Sequence, residues 1–183
     1  MRKVEVVPHN PIWRQVFESE SRDIASALGE NVAAIYHIGS TAIPGIYAKP
    51  IIDCLVAVRA IAQVDGQNEA MARLEYESMG EFGIPGRRYF RKDNAAGIRT
   101  HHVHGFEVGS AHIERHLAFR DYMRAHPADA LAYSNLKRQL AKAHANDIEA
   151  YIDGKDDFIQ AMDAKAALWR SHRKIQSISP TTR

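Results

Sequence analysis

The sequence predicts an α+β domain, a mixed β-sheet flanked by helices and closed by a helical C-terminal third. Three observations predict it. Pro50–Val58 (PIIDCLVAV) is an almost unbroken apolar run, the pattern of an interior strand buried on both faces. Arg87–Lys92 and Ile98–Glu107 flank Asp93-Asn94-Ala95-Ala96-Gly97, the pattern of a hairpin. After Gly109 the strand-like runs stop and helical signals take over.

In chain order, Pro11 opens a helix on which Trp13, Phe17, Ile24 and Leu28 recur at near-helical spacing, with Gly29 as its stop. Val32–Ile38 reads as a strand. The small residues Gly39-Ser40-Thr41-Ala42-Ile43-Pro44-Gly45 form a loop with a turn at Pro44-Gly45. The Pro50–Val58 strand follows, then a helix around Ala62–Leu74. Tyr76–Phe82 reads as a strand that leads into a turn at Gly83–Gly86, ahead of the hairpin. Ser110 caps a helix to about Ala125, and Pro127 suits the first turn of the next. Asn146 caps a third helix carrying Phe158, Ile159, Met162 and Trp169.

At 183 residues the chain fits one domain, 1–170, followed by a basic, flexible tail at 171–183. With 45% hydrophobic and 25% charged residues it is not a disordered chain. Its single cysteine, Cys54, excludes an intramolecular disulfide and a four-thiolate zinc site. No apolar run approaches the ~18 residues of a membrane span. Met1–Asn10 lacks the apolar stretch of a signal peptide. A cytoplasmic location and no membrane partner are expected. The net charge of +2 rests on the end of the chain: without Arg170–Arg183, 20 basic face 22 acidic side chains. A slightly acidic body gives no strong nucleic-acid signal.

Three groups of residues can carry chemistry. The first is His37-Ile38-Gly39-Ser40 followed by Asp53. Gly39 allows close backbone approach to a phosphate, Ser40 adds a donor, and Asp53 can hold a divalent metal against it. A lone carboxylate inside an apolar strand must be paired, hydrated or metal-bound. The alternative is a Gly-Ser turn beside a structural aspartate. Cys54 points opposite to Asp53 and reads as core.

The second group is His101-His102-Val103-His104. Strand side chains alternate, so Thr100, His102 and His104 share one face while Arg99, His101, Val103 and Glu107 share the other. Two imidazoles at i and i+2 can chelate one metal. The alternative is a hydrogen-bonded histidine pair. With Asp53, His102 and His104 make a two-histidine, one-carboxylate set, if the two strands are neighbours.

The third is Arg87-Arg88-Tyr89-Phe90-Arg91-Lys92, which places Arg87, Tyr89 and Arg91 on one face. That face can bind a polyanion such as a triphosphate, or the segment is a charged edge strand that resists further pairing. Lys49, just before the Asp53 strand, is a further phosphate candidate. Neither G-x-S-x-G nor G-x-x-x-x-G-K-[ST] occurs, so no serine-hydrolase elbow or P-loop is present.

The segments HIGSTAIPGIYAKPIID (His37–Asp53), GEFGIPGRRYFRK (Gly80–Lys92), RTHHVHGFEVGS (Arg99–Ser110) and RHLAFRDYMRAHP (Arg115–Pro127), with Leu136-Lys137 and Lys155 to Phe158, resemble the GrpB family, named after a glutamate-rich protein B. The resemblance runs from about Val4 to about Met162. It implies a nucleotidyltransferase-like fold, a nucleoside triphosphate as substrate, and divalent metal, Mg²⁺ or Mn²⁺ before Zn²⁺, for phosphoryl chemistry.

One departure bears on catalysis. The superfamily pattern has two carboxylates separated by one residue, yet Asp53 is followed by Cys54 and Leu55. A two-metal site on that pair cannot form. His102, His104 or Glu107 then supplies the missing ligand, or the domain binds nucleotide without transferring it. The leading reading gives catalysis and metal binding to Asp53, His102 and His104, and phosphate binding to Gly39, Ser40, Lys49, Arg87 and Arg91. A non-catalytic nucleotide-binding or interaction module is the second reading. A His-rich metal enzyme is the third, although its glycine, histidine and glutamate spacing differs from that of a cupin.

Overall fold

The computed structural model describes the backbone of residues 4–178 and side chains as far as residue 173. Its centre is a five-stranded sheet: β1 (Val32–Ile38), β2 (Ile52–Val58), β3 (Glu77–Ser78), β4 (Arg88–Asp93) and β5 (Arg99–Glu107), in the order β1-β2-β5-β4-β3. The sheet is mixed. β2 runs antiparallel to β1 and parallel to β5, and β4 runs antiparallel to both β5 and β3.

Alternation along β2 sorts two cores. Ile52, Cys54, Val56 and Val58 face one side, where they meet Trp13, Ile24 and Leu28 of α1 (Ile12–Leu28) and Met71 of α2 (Asn68–Arg73). Cys54 is fully buried there, as its position in the apolar run implies. Leu55 faces the other side and packs with Ile38, Phe106 and Leu117 of α3 (Ala111–Ala125). Behind α3 lie α4 (Pro127–Ala143) and α6 (Asp156–Ile178), joined to it through Tyr122, Met123, Tyr133 and Met162, while α5 (Ile148–Asp153) packs against α4. The charges of α3 bind it to α6: Arg115 pairs with Asp163, and Arg170 bridges Glu114 and Asp121.

Several local expectations change. Tyr76–Phe82 contributes only the two-residue β3, because Glu75, Gly80 and Phe82 all have positive φ and turn the chain. The helix expected around Ala62–Leu74 starts as a 3₁₀ segment, Ile61–Gln67, before α2. The third C-terminal helix is two helices, and the first cap is Asp147 rather than Asn146, its carboxylate accepting from the Ala150 amide at 3.0 Å. Gly154 separates them where Leu140 presses in; a Cβ there would lie 2.6 Å from Leu140 Cδ2. α6 continues to Ile178, so the segment expected as a tail from residue 171 begins as helix; residues 179–183 lie outside the described residues.

β4 is not an edge strand, since β3 and β5 flank it. Its positive charges are matched instead: Arg88 with Asp65, Arg91 with Glu77 and Lys92 with Glu20. A bulge opposite Lys92 and Asp93 skips Thr100, which breaks the alternation of β5. Arg99 therefore reaches Tyr89 on the face of His102 and His104, not the face of His101.

Candidate functional site

β2 and β5 are neighbours in register, with Asp53 opposite His102 and Leu55 opposite His104. Parallel pairing puts the three polar side chains on one face. His102 Nδ1 lies 2.9 Å from Asp53 Oδ1, and His104 Nε2 lies 3.8 Å from the same oxygen. One donor atom from each of Asp53, His102 and His104 falls within 4.8 Å of the others. The expected triad is thus spatially real. Tyr89 covers both imidazoles, its ring centre 5.6 Å from His102 and 5.3 Å from His104.

The electrostatics favour an ionised carboxylate. Burial alone raises the Asp53 pKa, but the hydrogen bonds and charges of His102 and His104 outweigh it and hold the carboxyl well below its usual range. Burial lowers the His104 pKa and outweighs the pull of Asp53, so a neutral imidazole is favoured. Its Nδ1 is buried with no hydrogen-bond partner among the described residues. An ionised Asp53 oxygen beside the His102 imidazole and a neutral His104 imidazole is a donor set that fits a divalent cation.

A cleft of about 290 Å³ opens beside this triad. Gly39 and Ser40 form one wall, with Lys49, Lys137 and Lys155 around it. Lys137 is 2% exposed, yet its Nζ has no hydrogen-bond partner among the described residues. Burial, then the charge of Lys155, pushes its pKa down to about 7. Aromatic faces hold these amines in place: Lys137 Nζ lies 4.4 Å from the Tyr133 ring centre. Lys49 and Lys155 lie 5.3 Å and 4.5 Å from that of Tyr151. Such a cleft can take several phosphate charges next to a metal.

The expected residues divide accordingly. Asp53, His102, Gly39, Ser40 and Lys49 line the cleft, with His104 behind Asp53. Arg87 and Arg91 do not line it. Arg87 is buried against the Tyr89 ring and donates to the carbonyls of Glu81 and Phe82. Arg91 is held by Glu77 at 2.5 Å. Glu107 is no replacement ligand, because it lies on the opposite face and accepts from the Ile61 amide at 3.0 Å. His101 faces away and sits 3.8 Å from Glu20. His37 also leaves the triad: its Nε2 is 2.9 Å from Thr41 Oγ1, and its ring stacks on Phe17.

Sequence reasoning gave no role to Lys137, Lys155, Tyr133 and Tyr151, which come from the helical third. His116 of α3 is a further neighbour of the site, its ring 5.8 Å from that of His104. The pairing of Leu136-Lys137 with Lys155 to Phe158 was the one signal available.

A family model described as GrpB protein matches residues 3–165. A Bacillus subtilis (strain 168) protein, UPF0157 protein YqkA, is 47% identical over 172 residues, covering 94% of this chain and 50% of the relative. The chain thus spans about half the length of that relative. The crystal structure of conserved protein GrpB from Enterococcus faecalis superposes with a TM-score of 0.85 at 45% identity, covering 88% of this chain and 96% of that one. Terminal uridylyl transferase 4 from Trypanosoma brucei, with bound dUTP, superposes with a TM-score of 0.55 at 12% identity, covering 90% of this chain and 56% of that one. The likeness at that identity is one of fold, a nucleotidyltransferase fold.

Proposed function

The chain belongs to the GrpB family, and from that premise we propose that it binds a nucleotide together with a divalent metal and transfers a nucleotidyl or phosphoryl group. Asp53, His102 and His104 would hold the metal. Ser40, Lys49, Lys137 and Lys155 would hold the phosphates, and Gly39 lets the loop approach Asp53 closely. The single observation that carries this reading is Lys137: a buried amine without a hydrogen-bond partner, at the wall of the cleft that contains Asp53. An unsatisfied buried amine costs stability, and an anionic ligand recovers it.

Two imidazoles and one carboxylate suit Mn²⁺ or Zn²⁺ better than Mg²⁺, which prefers oxygen. The metal would supply charge stabilisation to phosphoryl oxygens. The chain's own part is to keep Asp53 ionised, to donate from Ser40, and to neutralise phosphate charge with the three lysines. No nucleic acid or membrane partner enters this reading.

Thermal denaturation with nucleoside triphosphates and Mn²⁺ tests it. Ligand at about 100 times its Kd stabilises a protein by about 2.7 kcal/mol. The reading expects a clear rise in Tm with metal and nucleotide together, abolished in Asp53→Ala. No rise with any nucleotide would sink it.

A second reading, binding without transfer, rests on Leu55. It stands where the superfamily pattern has a second carboxylate, and it is buried in an apolar cluster. Product analysis at saturating Mn²⁺ with a panel of hydroxyl acceptors separates the two: one defined product establishes transfer, whereas saturable binding without product supports the second reading.

A further inference from the structure

A second and larger cleft, of about 980 Å³, opens between α1, the edge strand β1 and the start of α4. It shares Thr41 with the lysine cleft but is lined by none of Asp53, His102 or the three lysines. Its size is that of a small-molecule site.

Three guanidinium groups converge on it. Arg14 is paired with Glu18 at 2.9 Å, and Arg120 with Asp121 at 2.7 Å. Arg124 has no carboxylate within ion-pair distance among the described residues. Its one hydrogen bond among them runs from Nε to the Ala42 carbonyl at 2.9 Å, so both terminal nitrogens remain available. Burial, then the like charge of Arg120 and that of Arg14, holds Arg124 below the usual arginine range, with Asp121 opposing. Like charges gathered at an open cleft repel, and an anion between them removes that cost. Phe17, Tyr36, Pro44, Met123 and Leu131 form the apolar and aromatic part of the wall, beside the Glu18 carboxylate and a few other polar side chains. Leu131, 59% exposed, is the large apolar residue most open to solvent there.

We propose that this cleft is a second ligand site, selective for a small organic anion with an aromatic or apolar body. Arg124 takes the anionic head, and Phe17, Pro44 and Leu131 take the body. The same arginines hold the two flanks of the Gly39–Thr41 loop, Arg120 at the His37 carbonyl and Arg124 at that of Ala42. The occupant of this cleft therefore touches the side chains that brace the phosphate-facing loop.

The probe is 8-anilinonaphthalene-1-sulfonate, titrated by fluorescence against the full chain, with neutral N-phenyl-1-naphthylamine as its uncharged counterpart. One saturable sulfonate site per chain is expected, with the neutral probe bound at least about tenfold more weakly, as loss of a charge-assisted hydrogen bond implies. Arg124→Gln should weaken sulfonate binding at least about fivefold and leave the neutral probe unchanged. Leu131→Glu, at an exposed rim position that does not threaten folding, should weaken both probes by loss of apolar contact, and the sulfonate further by like-charge repulsion. Lys137→Met should leave sulfonate binding intact, which separates this site from the lysine cleft. Equal binding of the two probes would overturn the proposal. So would sulfonate binding that survives both Arg124→Gln and Leu131→Glu, or that is lost in Lys137→Met.

Discussion

Gly39 leaves the space that the carboxylate of Asp53 occupies. A Cβ on Gly39 would press into Asp53 Oδ2 and lie 3.0 Å from its Cγ. Gly39 also has φ 70° and ψ −172°, a conformation essentially restricted to glycine. The loop glycine and the strand aspartate are thus one device, the first bringing backbone close to the charge of the second.

Gly39→Ala should therefore act twice. It should destabilise the fold by about 1–3 kcal/mol through backbone strain, and it should displace the carboxylate and weaken Mn²⁺ binding. Urea unfolding measures the first effect and Mn²⁺ titration the second. Full Mn²⁺ affinity in Gly39→Ala would contradict the assignment of Asp53 as a ligand.

Lys137→Met should stabilise the protein while it harms ligand binding. Met keeps the apolar stem and removes an unsatisfied buried amine worth about 1–3 kcal/mol. The sign with pH follows from the Lys137 pKa, pushed down to about 7 in the folded chain. Between that value and its ordinary range near ~10.4, the unfolded chain holds a proton that the native chain lacks, so wild-type stability rises with pH. The variant should lose that rise, and its nucleotide affinity should fall at least about tenfold. Denaturant midpoints from pH 7 to 10, with calorimetric titration of nucleotide, provide the check.

The buried imidazole of His37 should make the fold acid-sensitive before its carboxylates titrate. Burial lowers its pKa from 6.5 to about 4, against the pull of Asp53 and with Arg124, Arg120 and His9 adding to the shift. Its contribution is complete above about 6.5 and is lost as pH falls toward about 4, because the unfolded chain takes up the proton first. His37→Gln should reduce the pH slope of stability in that window by up to about 1.4 kcal/mol per pH unit. An unchanged slope would show that His37 is not held neutral.

Restoring the second carboxylate should fail. Leu55 is fully buried, packed with Ile38, Phe106 and Leu117. Leu55→Asp puts a charge into that cluster and should cost about 4 kcal/mol or more. Urea unfolding checks this, and a variant as stable as wild type would show that the pocket can admit a second acidic ligand.

Local pattern made much of the fold legible. Val32–Ile38 is a strand with the expected bounds, and Ser110 and Pro127 begin helices where their capping chemistry requires. The misjudged segments turned on local geometry that composition does not show. Thr100 is skipped in the β5 ladder, which re-aims Arg99, and one expected helix is two, parted at Gly154, where a Cβ would meet Leu140.

The candidate site divides in the same way. Asp53 in an apolar strand and His102 with His104 on one strand face could be read from the sequence alone, because a two-residue period decides which side chains share a face. That the two strands adjoin in parallel, with Asp53 opposite His102, was settled only by the sheet order. Tertiary packing also replaced Arg87 and Arg91 with Lys137 and Lys155 as the cations at the cleft. The physical reason is that a positive charge goes where its partners are. Arg91 found the carboxylate of Glu77 in the neighbouring strand and Arg87 the carbonyls of the turn before β4, whereas burial of the helical third left Lys137 facing Asp53's cleft without a partner among the described residues.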